Sequence, residues 1–540
     1  MKKYLSYLIT IVIAFILYYL LLPPINLHSA SFYFYIIIVL VIFMLNYSLF
    51  SITNNSNEIM ELLFNKRKIK TIGGVSDKVY KICLGIIATI IIGGFIVNFI
   101  CSPIFNAKSY HNRIKVDETG EFVKDVKEVD FKSLPLLDRE SSEVLGDRVM
   151  GQMSEWVSQF DVSNMYTQIN YNDDIVRVTP LTYADGIKWL TNRNEGIKGY
   201  IIVNSVNGKT QLVKLDKGMK YVPSALFNDK MERRLRFKYP TTIFDNTSFE
   251  IDEKGNPYYI ITTVDYTAVG LKEKVTGVII YDPITGKSKK YKKEDIPRWV
   301  DIAYSAGLVI EQIDDWGTYK KGFFNSIFGQ KNVVNTTEGY NYLAMDDDIY
   351  LYTGITSVVS DESNLGFVLS NMRTGDTKFY KVAGAEEYSA MNSAEGQVQE
   401  KGYKSTFPLL INLNGKPTYL VSLKDSNGLV KMYAFIDVVD YQKVVVTDSS
   451  KGIITAKDNY LKGTKTEAKD DELEREKIIV DSLHTAIING YTYYFIESNN
   501  RKFKVSISLN ENLPFLKVGD TIDIGYYKTK GNVIEIEKIY

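Results

Sequence analysis

Histidine and cysteine, the usual residues of nucleophilic and metal chemistry, are scarce in this chain. It has three histidines, His28, His111 and His484, and two cysteines, Cys83 and Cys101. The histidines are far apart, so no His-x-x-His pair or His/Cys cluster has zinc-ligand spacing, and a Ser-His-Asp site would have to recruit an isolated histidine. The cysteines fall in or at the end of an apolar segment and are poor nucleophile candidates. We therefore predict no catalytic residue of this kind, no metal and no cofactor.

Carboxylates are the remaining candidates for chemistry. Acidic groups lie at Asp314-Asp315, Asp346–Asp348 and Asp361-Glu362. A glycosidase-type pair needs two carboxylates at a defined separation, which the sequence does not define. The group at 346–348 lacks the alternating order of a calcium loop, so an exposed acidic turn is favoured and calcium binding is the alternative. No GxGxxG, P-loop or GxSxG motif is present, which favours a non-enzymatic protein.

The candidate binding residues are a basic cluster and two tryptophans. Arg233, Arg234 and Arg236 could grip an anionic envelope polymer or form the solvated face of a helix. We assign Trp299 and Trp316 to the same candidate binding surface. Lys+Arg and Asp+Glu both number 64, and without a basic excess we expect no nucleic-acid partner. The predicted partner is another envelope protein, a peptide or a polymer.

Three charge-free apolar stretches begin the chain, at residues 4–22, 31–50 and 82–102. Each is near the ~20 residues that cross the hydrocarbon core of a bilayer. The first stretch could instead be a signal peptide after Lys2-Lys3, but its apolar run is long for that role and the next stretch follows closely. The sequence therefore predicts a membrane anchor, residues 1–103, with three transmembrane helices and the lipid bilayer as a partner.

Basic residues set the expected orientation. The loop between the second and third spans holds Lys66, Arg67, Lys68, Lys70, Lys78 and Lys81, whereas residues 23–30 have no Lys or Arg. The positive-inside rule places the N-terminus and the 51–81 loop in the cytoplasm, and everything after about residue 103 outside. Asn46 and Asn98 are polar residues within spans that could hydrogen-bond between helices or reach the interface. The absence of charge within the spans disfavours an ion pathway.

An internal repeat organises residues 170–446. Strand glycines at Gly199, Gly277 and Gly366 recur together with turn glycines at Gly208, Gly286 and Gly375. Each unit reads as an apolar strand, a tight turn that favours glycine, and a second strand. A partly helical stretch follows each hairpin. We predict repeated hairpin–helix–strand units that start near residues 199, 277 and 366.

Residues 278–291, VIIYDPITGKSKKY, resemble the PepSY-like α+β module of bacterial envelope proteins. The resemblance covers at most residues 170–445. It implies an extracytoplasmic regulatory or binding role and brings no catalytic signature. The phrase LKVGDTI at 516–522 is similar to the turn into a strand of an OB-fold barrel.

The remaining segments complete the predicted organisation. Residues 104–169 are predicted to be a stalk and first helix, 447–477 a polar linker, and 478–540 a small, OB-like β-barrel. The fold class is α+β, with three N-terminal transmembrane helices and a β-rich extracytoplasmic region. The favoured function is that of a membrane-anchored binding or scaffolding protein of the bacterial cell envelope. The alternatives are an envelope hydrolase with a carboxylate pair and an accessory subunit of a membrane complex.

Overall fold

A computed structural model describes residues 2–52, 77–128, 131, 134–358, 360–463, 473–488, 491–510, 512–527 and 533–540. Lys66, Arg67, Lys68 and Lys70 of the predicted cytoplasmic loop lie outside these residues, as does 464–472 of the predicted linker. The chain divides into two compact units. The first comprises Met1–Leu429 with Asp437–Tyr441, and the second comprises Val430–Ile436 with Gln442–Tyr540.

Apolar helices begin the first unit: α1 Lys2–Leu21, α2 Ala30–Ile52 and α3 Asp77–Ile100. Ala30–Ser48 and Lys78–Ile100 are long and apolar enough to cross a membrane, whereas the apolar helix Ser6–Leu21 is shorter. α1 ends because Leu22 adopts a positive φ of 52° and two prolines follow, which lack the N–H that a helix needs. Two of the predicted spans thus reach the required length, and the first stays a prediction.

The segment after α3 packs against the β region. It contains α4 Pro103–His111, β1 Val116–Gly120, α5 Phe122–Asp125 and α6 Arg139–Gly151. β1 pairs in parallel with the strand at Thr377–Tyr380. α6 begins at Asp138, whose side chain accepts a hydrogen bond from the Ser141 N–H over 2.9 Å, as an N-cap does. The residues predicted as a stalk therefore contribute a strand and a capped helix to the folded region.

We call residues 160–238 the first repeat: they contain the predicted unit start near residue 199 but begin with further strands, and they form an antiparallel sheet followed by a helix. Its elements are β2 Phe160–Val162, β3 Thr167–Tyr171, β4 Asp174–Tyr183, α7 Gly186–Asn192, β5 Ile197–Asn204, β6 Thr210–Met219 and α8 Met231–Lys238. The strand order is β2-β4-β5-β6, and β3 also pairs with β4. Asn172 and Asp173, both at positive φ, form the turn between β3 and β4. Asn and Asp tolerate that conformation better than other non-glycine residues.

The second and third repeats also place a helix after their strands, whereas the first has the additional helix α7 between β4 and β5. The second has β7 Ile243–Ile251, β8 Pro257–Tyr266, β9 Glu273–Tyr281, β10 Ser288–Lys292 and α9 Ala306–Thr318. The third has β11 Val334–Thr336, β12 Asn341–Met345, β13 Asp348–Ser357, β14 Ser360–Asn371, β15 Thr377–Tyr380, β16 Gly384–Ala385 and α10 Glu387–Gly396. Three further strands close the first unit: β17 Lys404–Ser405, β18 Leu409–Leu413 and β19 Lys416–Lys424.

The strand glycines of the repeat share one physical role. Gly199, Gly277 and Gly366 lie in the third long strand of each repeat, β5, β9 and β14. A Cβ atom at each would press on a carbonyl oxygen of the neighbouring strand, at Val213, Tyr291 and Tyr380 respectively. The close approach of the backbones therefore requires glycine at this position.

The second unit contains β20 Val430–Asp437, β21 Val444–Asp448, α11 Ile453–Gly463, β22 Glu474–Ile479, β23 Ser482–Ile488, β24 Tyr491–Ser498, β25 Arg501–Ser506, β26 Thr521–Tyr526 and β27 Val533–Ile539. Its C-terminal sheet has the order β22-β26-β27-β25-β24-β23 around a core that includes Ile496, Phe503 and Ile524. Helices and sheets together give an α+β protein. The resemblance to an OB-fold stays a prediction.

Candidate functional site

Two arginines of α8 bind the C-terminal end of α1. Arg236 Nε donates to the Leu22 carbonyl oxygen over 2.9 Å, and Arg233 Nε donates to the Tyr19 carbonyl oxygen over 3.1 Å. The last carbonyls of a helix have no partner within the helix, and a cation there is favoured by the helix dipole. Because positions three residues apart share a helix face, both guanidinium groups reach α1 from one side of α8.

These guanidinium groups are buried without an acidic partner. Arg233 lies 3.9 Å over the ring of Tyr19, and Arg236 lies 4.3 Å over the ring of Phe244. Within the described part of the chain, no carboxylate forms an ion pair with either side chain. Burial lowers the pKa of Arg236 to about 10. Carbonyl dipoles and aromatic rings compensate for the lost hydration, as expected for Arg, which is more weakly hydrated than Lys.

The β8–β9 hairpin makes a second contact with the apolar helices. His28 Nδ1 lies 2.7 Å from Asp265 Oδ1, and Gly270 N–H donates to the His28 carbonyl oxygen. At the end of α3, Asn98 makes two hydrogen bonds with the backbone of Val269, of 2.9 and 3.1 Å. Asn98, predicted to reach another helix or the interface, therefore binds the β region. The loop after α1 and the end of α3 are fixed to the same hairpin.

A charged cluster fixes the chain where it leaves α4. Arg113 pairs with Asp315 of α9 and donates from Nη2 to the Glu273 carbonyl oxygen over 2.8 Å. Lys272 pairs with Glu311 and lies 3.5 Å from Asp315. The cluster alternates in charge, so the buried Asp315 and the partly exposed Glu311 each have a cation beside them. The anchor junction is our name for three sets of contacts with the ends of the apolar helices. They are made by α8, by the β8–β9 hairpin and by this charged cluster.

The structure separates the five predicted binding residues. Arg233 and Arg236 belong to the anchor junction, whereas Arg234 lies 4.1 Å over the ring of Tyr221. Trp299 packs on Tyr258, with ring centroids 5.1 Å apart. Trp316 is buried in the core of the third repeat, and its carbonyl oxygen lies 2.7 Å from His111 Nδ1. These residues do not form one continuous surface.

A groove crosses the first and second repeats. Its volume is about 530 Å³. The floor is the face of β5 and β6 that carries Tyr200, Ile202, Gln211, Val213 and Leu215, and the wall is formed by the turn at Lys254-Gly255-Asn256 together with Ile284. Val213 lies directly opposite Tyr200, and Gln211 opposite Ile202, so these side chains share one side of the sheet.

One edge of this groove is an unpaired strand. β6 is an end strand of its sheet and pairs only with β5 among the described residues. Lys214, Lys217 and Lys254 line the groove with Asp216 as its one acidic residue. β10, the end strand of the second repeat, carries Lys289, Lys290 and Lys292, which protect an edge against pairing. β6 is longer and presents Leu212, Val213 and Leu215, so it is the better template for an added strand.

The buried carboxylates of the first unit are a second candidate for chemistry. Glu250 accepts from the Asp301 N–H over 2.8 Å and from the Ile302 N–H over 3.1 Å, and Asp301 accepts from the Asn170 N–H over 2.8 Å. Burial raises the pKa of both groups, and repulsion from Glu250 raises the pKa of Asp301 further. Both are at most 2% exposed. This pair connects β7, β3 and the loop before α9, and it lies away from solvent.

The acidic groups that the sequence singles out are mostly paired. Asp314 accepts from the Thr336 N–H, and Asp348 forms an ion pair with Arg373. Asp346 and Asp347 form the exposed turn between β12 and β13, both at positive φ. Among the described residues, no group of three or more His, Cys, Asp or Glu side chains could hold a metal ion.

Comparisons with known proteins add little. No family model matches the chain, and no curated protein matches it. A solved structure of a Trypanosoma rangeli sialidase in complex with sialic acid matches at 9% identity with a TM-score of 0.15, over 70% of this chain and 53% of that chain. The chain thus spans about half the length of the sialidase, and so low a TM-score supports no inference about fold or function.

Proposed function

We propose that the chain is a membrane-anchored, extracytoplasmic binding protein of the bacterial cell envelope that holds an extended, anionic polypeptide segment of a partner against β6. It acts by binding and catalyses no reaction. Three spans anchor it, with the N-terminus in the cytoplasm and the residues after about 103 outside.

The observation that carries this proposal is the unpaired β6 edge beside an open groove. An extended peptide that adds to a sheet edge gains main-chain hydrogen bonds, and the neighbouring groove receives alternate side chains. The apolar floor at Val213 and Leu215 suits aliphatic side chains of the ligand. The three lysines favour a partner segment with acidic residues.

The anchor junction supports the membrane part of the proposal. The helix ends contact the region where β7 begins: the Ile25 N–H donates to the Pro240 carbonyl oxygen over 2.7 Å. The turn at Lys254 is at the other end of β7, which has nine residues and spans roughly 30 Å at ~3.3 Å per residue. The groove wall is therefore well separated from the helix ends and accessible to a partner.

Site-specific crosslinking in intact cells tests the binding site. A photoreactive amino acid replaces Gln211 in the groove, and the control places it at Lys289 on β10. We expect one discrete adduct from position 211 alone, with a linear acidic peptide of another protein at the crosslinked site by mass spectrometry. Equal adducts at both positions, no adduct, or a glycan adduct would contradict the proposed polypeptide ligand.

Protease accessibility tests the topology. A protease added to whole cells is expected to cleave the region beyond residue 110 while a cytoplasmic marker stays intact. Cleavage of that region only after lysis would place it in the cytoplasm and reverse the proposed orientation.

A further inference from the structure

Exposed apolar side chains gather where α1 ends. Ile187 and Leu190 of α7 are 71% and 59% exposed, and Phe227 is 65% exposed. Phe227 contacts the ring of Trp189, and its carbonyl oxygen accepts from Arg233, the residue that binds Tyr19 of α1. The Tyr19 hydroxyl also donates to Asn228 Oδ1 over 3.0 Å. We name Ile187, Leu190, Leu226 and Phe227 the first apolar patch.

A second patch lies beside the exit of α3. Phe324, Ile327 and Phe328 are 66%, 50% and 81% exposed in the turn after α9. This turn starts at Tyr319, whose ring contacts that of Tyr110 at 5.9 Å. The Tyr110 hydroxyl in turn donates to the Cys101 carbonyl oxygen over 2.9 Å, at the end of α3. Lys321 and Lys331 flank the three apolar side chains, and Lys320 beside them pairs with Glu118.

We infer that both patches insert into the interfacial layer of the bilayer, so that the β region rests on the membrane at the exits of α1 and α3. This inference rests on the proposed membrane anchorage. The occupant is lipid because each patch is joined by one or two side chains to the end of an apolar helix. Aromatic rings with flanking lysines are the composition that binds the acyl–headgroup boundary and anionic headgroups.

A protein partner is the competing occupant. Soluble monomers rarely expose such clusters unless they form an interface, and a partner could cover either patch. A partner would have to cover two separate patches, each beside a helix exit. The bilayer reaches both at once, since the same helices hold the β region against it.

Lipid-quenching of single labels on the full chain tests this inference. Cys83→Ser and Cys101→Ser remove the native thiols, and an environment-sensitive fluorophore is attached at Phe328→Cys or Phe227→Cys in phospholipid nanodiscs. Val41→Cys in α2 is the label within the span, and Lys254→Cys in the groove wall is the label away from the helix ends. With spin-labelled lipids, we expect emission loss at positions 328, 227 and 41, and none at 254.

The possible outcomes distinguish the bilayer contact of the patches from the membrane anchorage of the chain. Quenching at 41 with none at 328 and 227 would overturn bilayer contact and leave the anchor standing. No quenching at 41 would overturn the anchorage and the contact together. If positions 328 and 227 are quenched in nanodiscs but not in native membranes, which also contain other proteins, the patches bind a protein partner.

Discussion

Arg236 donates its Nε–H to the carbonyl oxygen of Leu22, the residue at which α1 turns into a left-handed conformation and ends. Arg236 also donates from Nη1 to the Thr242 carbonyl oxygen over 2.5 Å, just before β7. One guanidinium group therefore joins the end of an apolar helix to the first strand of the second repeat. Since Arg236 is 4% exposed, this contact between the helix and the strand is buried in the folded protein.

Arg236→Ala is expected to loosen this joint. The change removes charge-assisted hydrogen bonds to the partly buried carbonyl oxygens of Leu22 and Thr242, which costs about 2 kcal/mol in the free energy of unfolding. Thermal unfolding of the full chain in detergent micelles should show a lower midpoint. Proteolysis of the 23–30 loop should accelerate in the variant.

Arg234→Ala is the matched control on the same helix. Its side chain stacks on Tyr221 and donates to the Asn228 carbonyl oxygen, with no hydrogen bond to α1 among the described residues. We therefore expect a loss below ~1 kcal/mol and no change at the loop. If both variants behaved alike, the special role of the Leu22 contact would be refuted.

Gly277→Ala is expected to destabilise the second repeat. Gly277 has a φ of 151°, and a Cβ would overlap the Tyr291 carbonyl oxygen, so β9 and β10 would have to separate. Repacking of this kind costs typically ~1–3 kcal/mol. Chemical denaturation of the full chain in detergent provides the measurement.

Gly307→Ala is the opposite case. Gly307 lies in the first turn of α9 with no atom near its added Cβ, and Ala is the better helix former by up to ~1 kcal/mol. We expect unchanged or raised stability. Destabilisation by both substitutions would argue against the steric role of the strand glycine.

The buried acid pair predicts a loss of stability with rising pH. Burial raises the pKa of Glu250 to about 7, so between pH ~4.5 and ~7 the folded state binds more protons than the unfolded state. The unfolding free energy therefore falls as pH rises through this window, by about 3 kcal/mol for a shift of this size. Unfolding midpoints measured from pH 4 to 8 should trace the decline.

Asp301→Asn is expected to flatten that decline. The amide oxygen can still accept from the Asn170 N–H. The substitution removes the Asp301 carboxyl, whose pKa is raised by burial and by repulsion from Glu250, so its share of the decline is lost and the share of Glu250 remains. Asp216→Asn, on the exposed face of β6, is the control and should keep the wild-type slope. An Asp301→Asn profile as steep as wild type would show that the pair does not set the pH dependence.

The local sequence pattern predicts the hairpins that turn on glycine, but it does not predict all the strands of each repeat. Gly208, Gly286 and Gly375 mark the β5–β6, β9–β10 and β14–β15 hairpins because glycine readily takes positive φ. The β3–β4 and β12–β13 hairpins turn on Asn172-Asp173 and Asp346-Asp347, where Asn and Asp take the same conformation. The corresponding β7–β8 turn has Gly255 at positive φ instead. These turns share no glycine, so sequence comparison of the units finds only suggestive similarities there.

The anchor junction and the groove depend on contacts that sequence does not encode locally. The i, i+3 spacing of Arg233 and Arg236 predicts one helix face, yet the carbonyl oxygens that they bind lie 214 residues away. The alternation of Gln211, Val213 and Leu215 was a usable signal for one face of β6. The turn at Lys254 faces β6 because the first two repeats pack together, and no local pattern indicates this packing.

The lysines of the groove predict salt-sensitive binding. Lys214→Glu with Lys217→Glu reverses two charges beside β6 and should lower the yield of the adduct from the photoreactive residue at 211, because an acidic segment would then be repelled. In washed membranes, the wild-type yield should fall as salt rises from 0.1 to 1 M, since screening shortens from ~10 to ~3 Å. Lys289→Glu with Lys292→Glu on β10 makes the same change in total charge and should leave the yield unchanged. Binding indifferent to both salt and the double reversal would mean that the partner segment is not anionic.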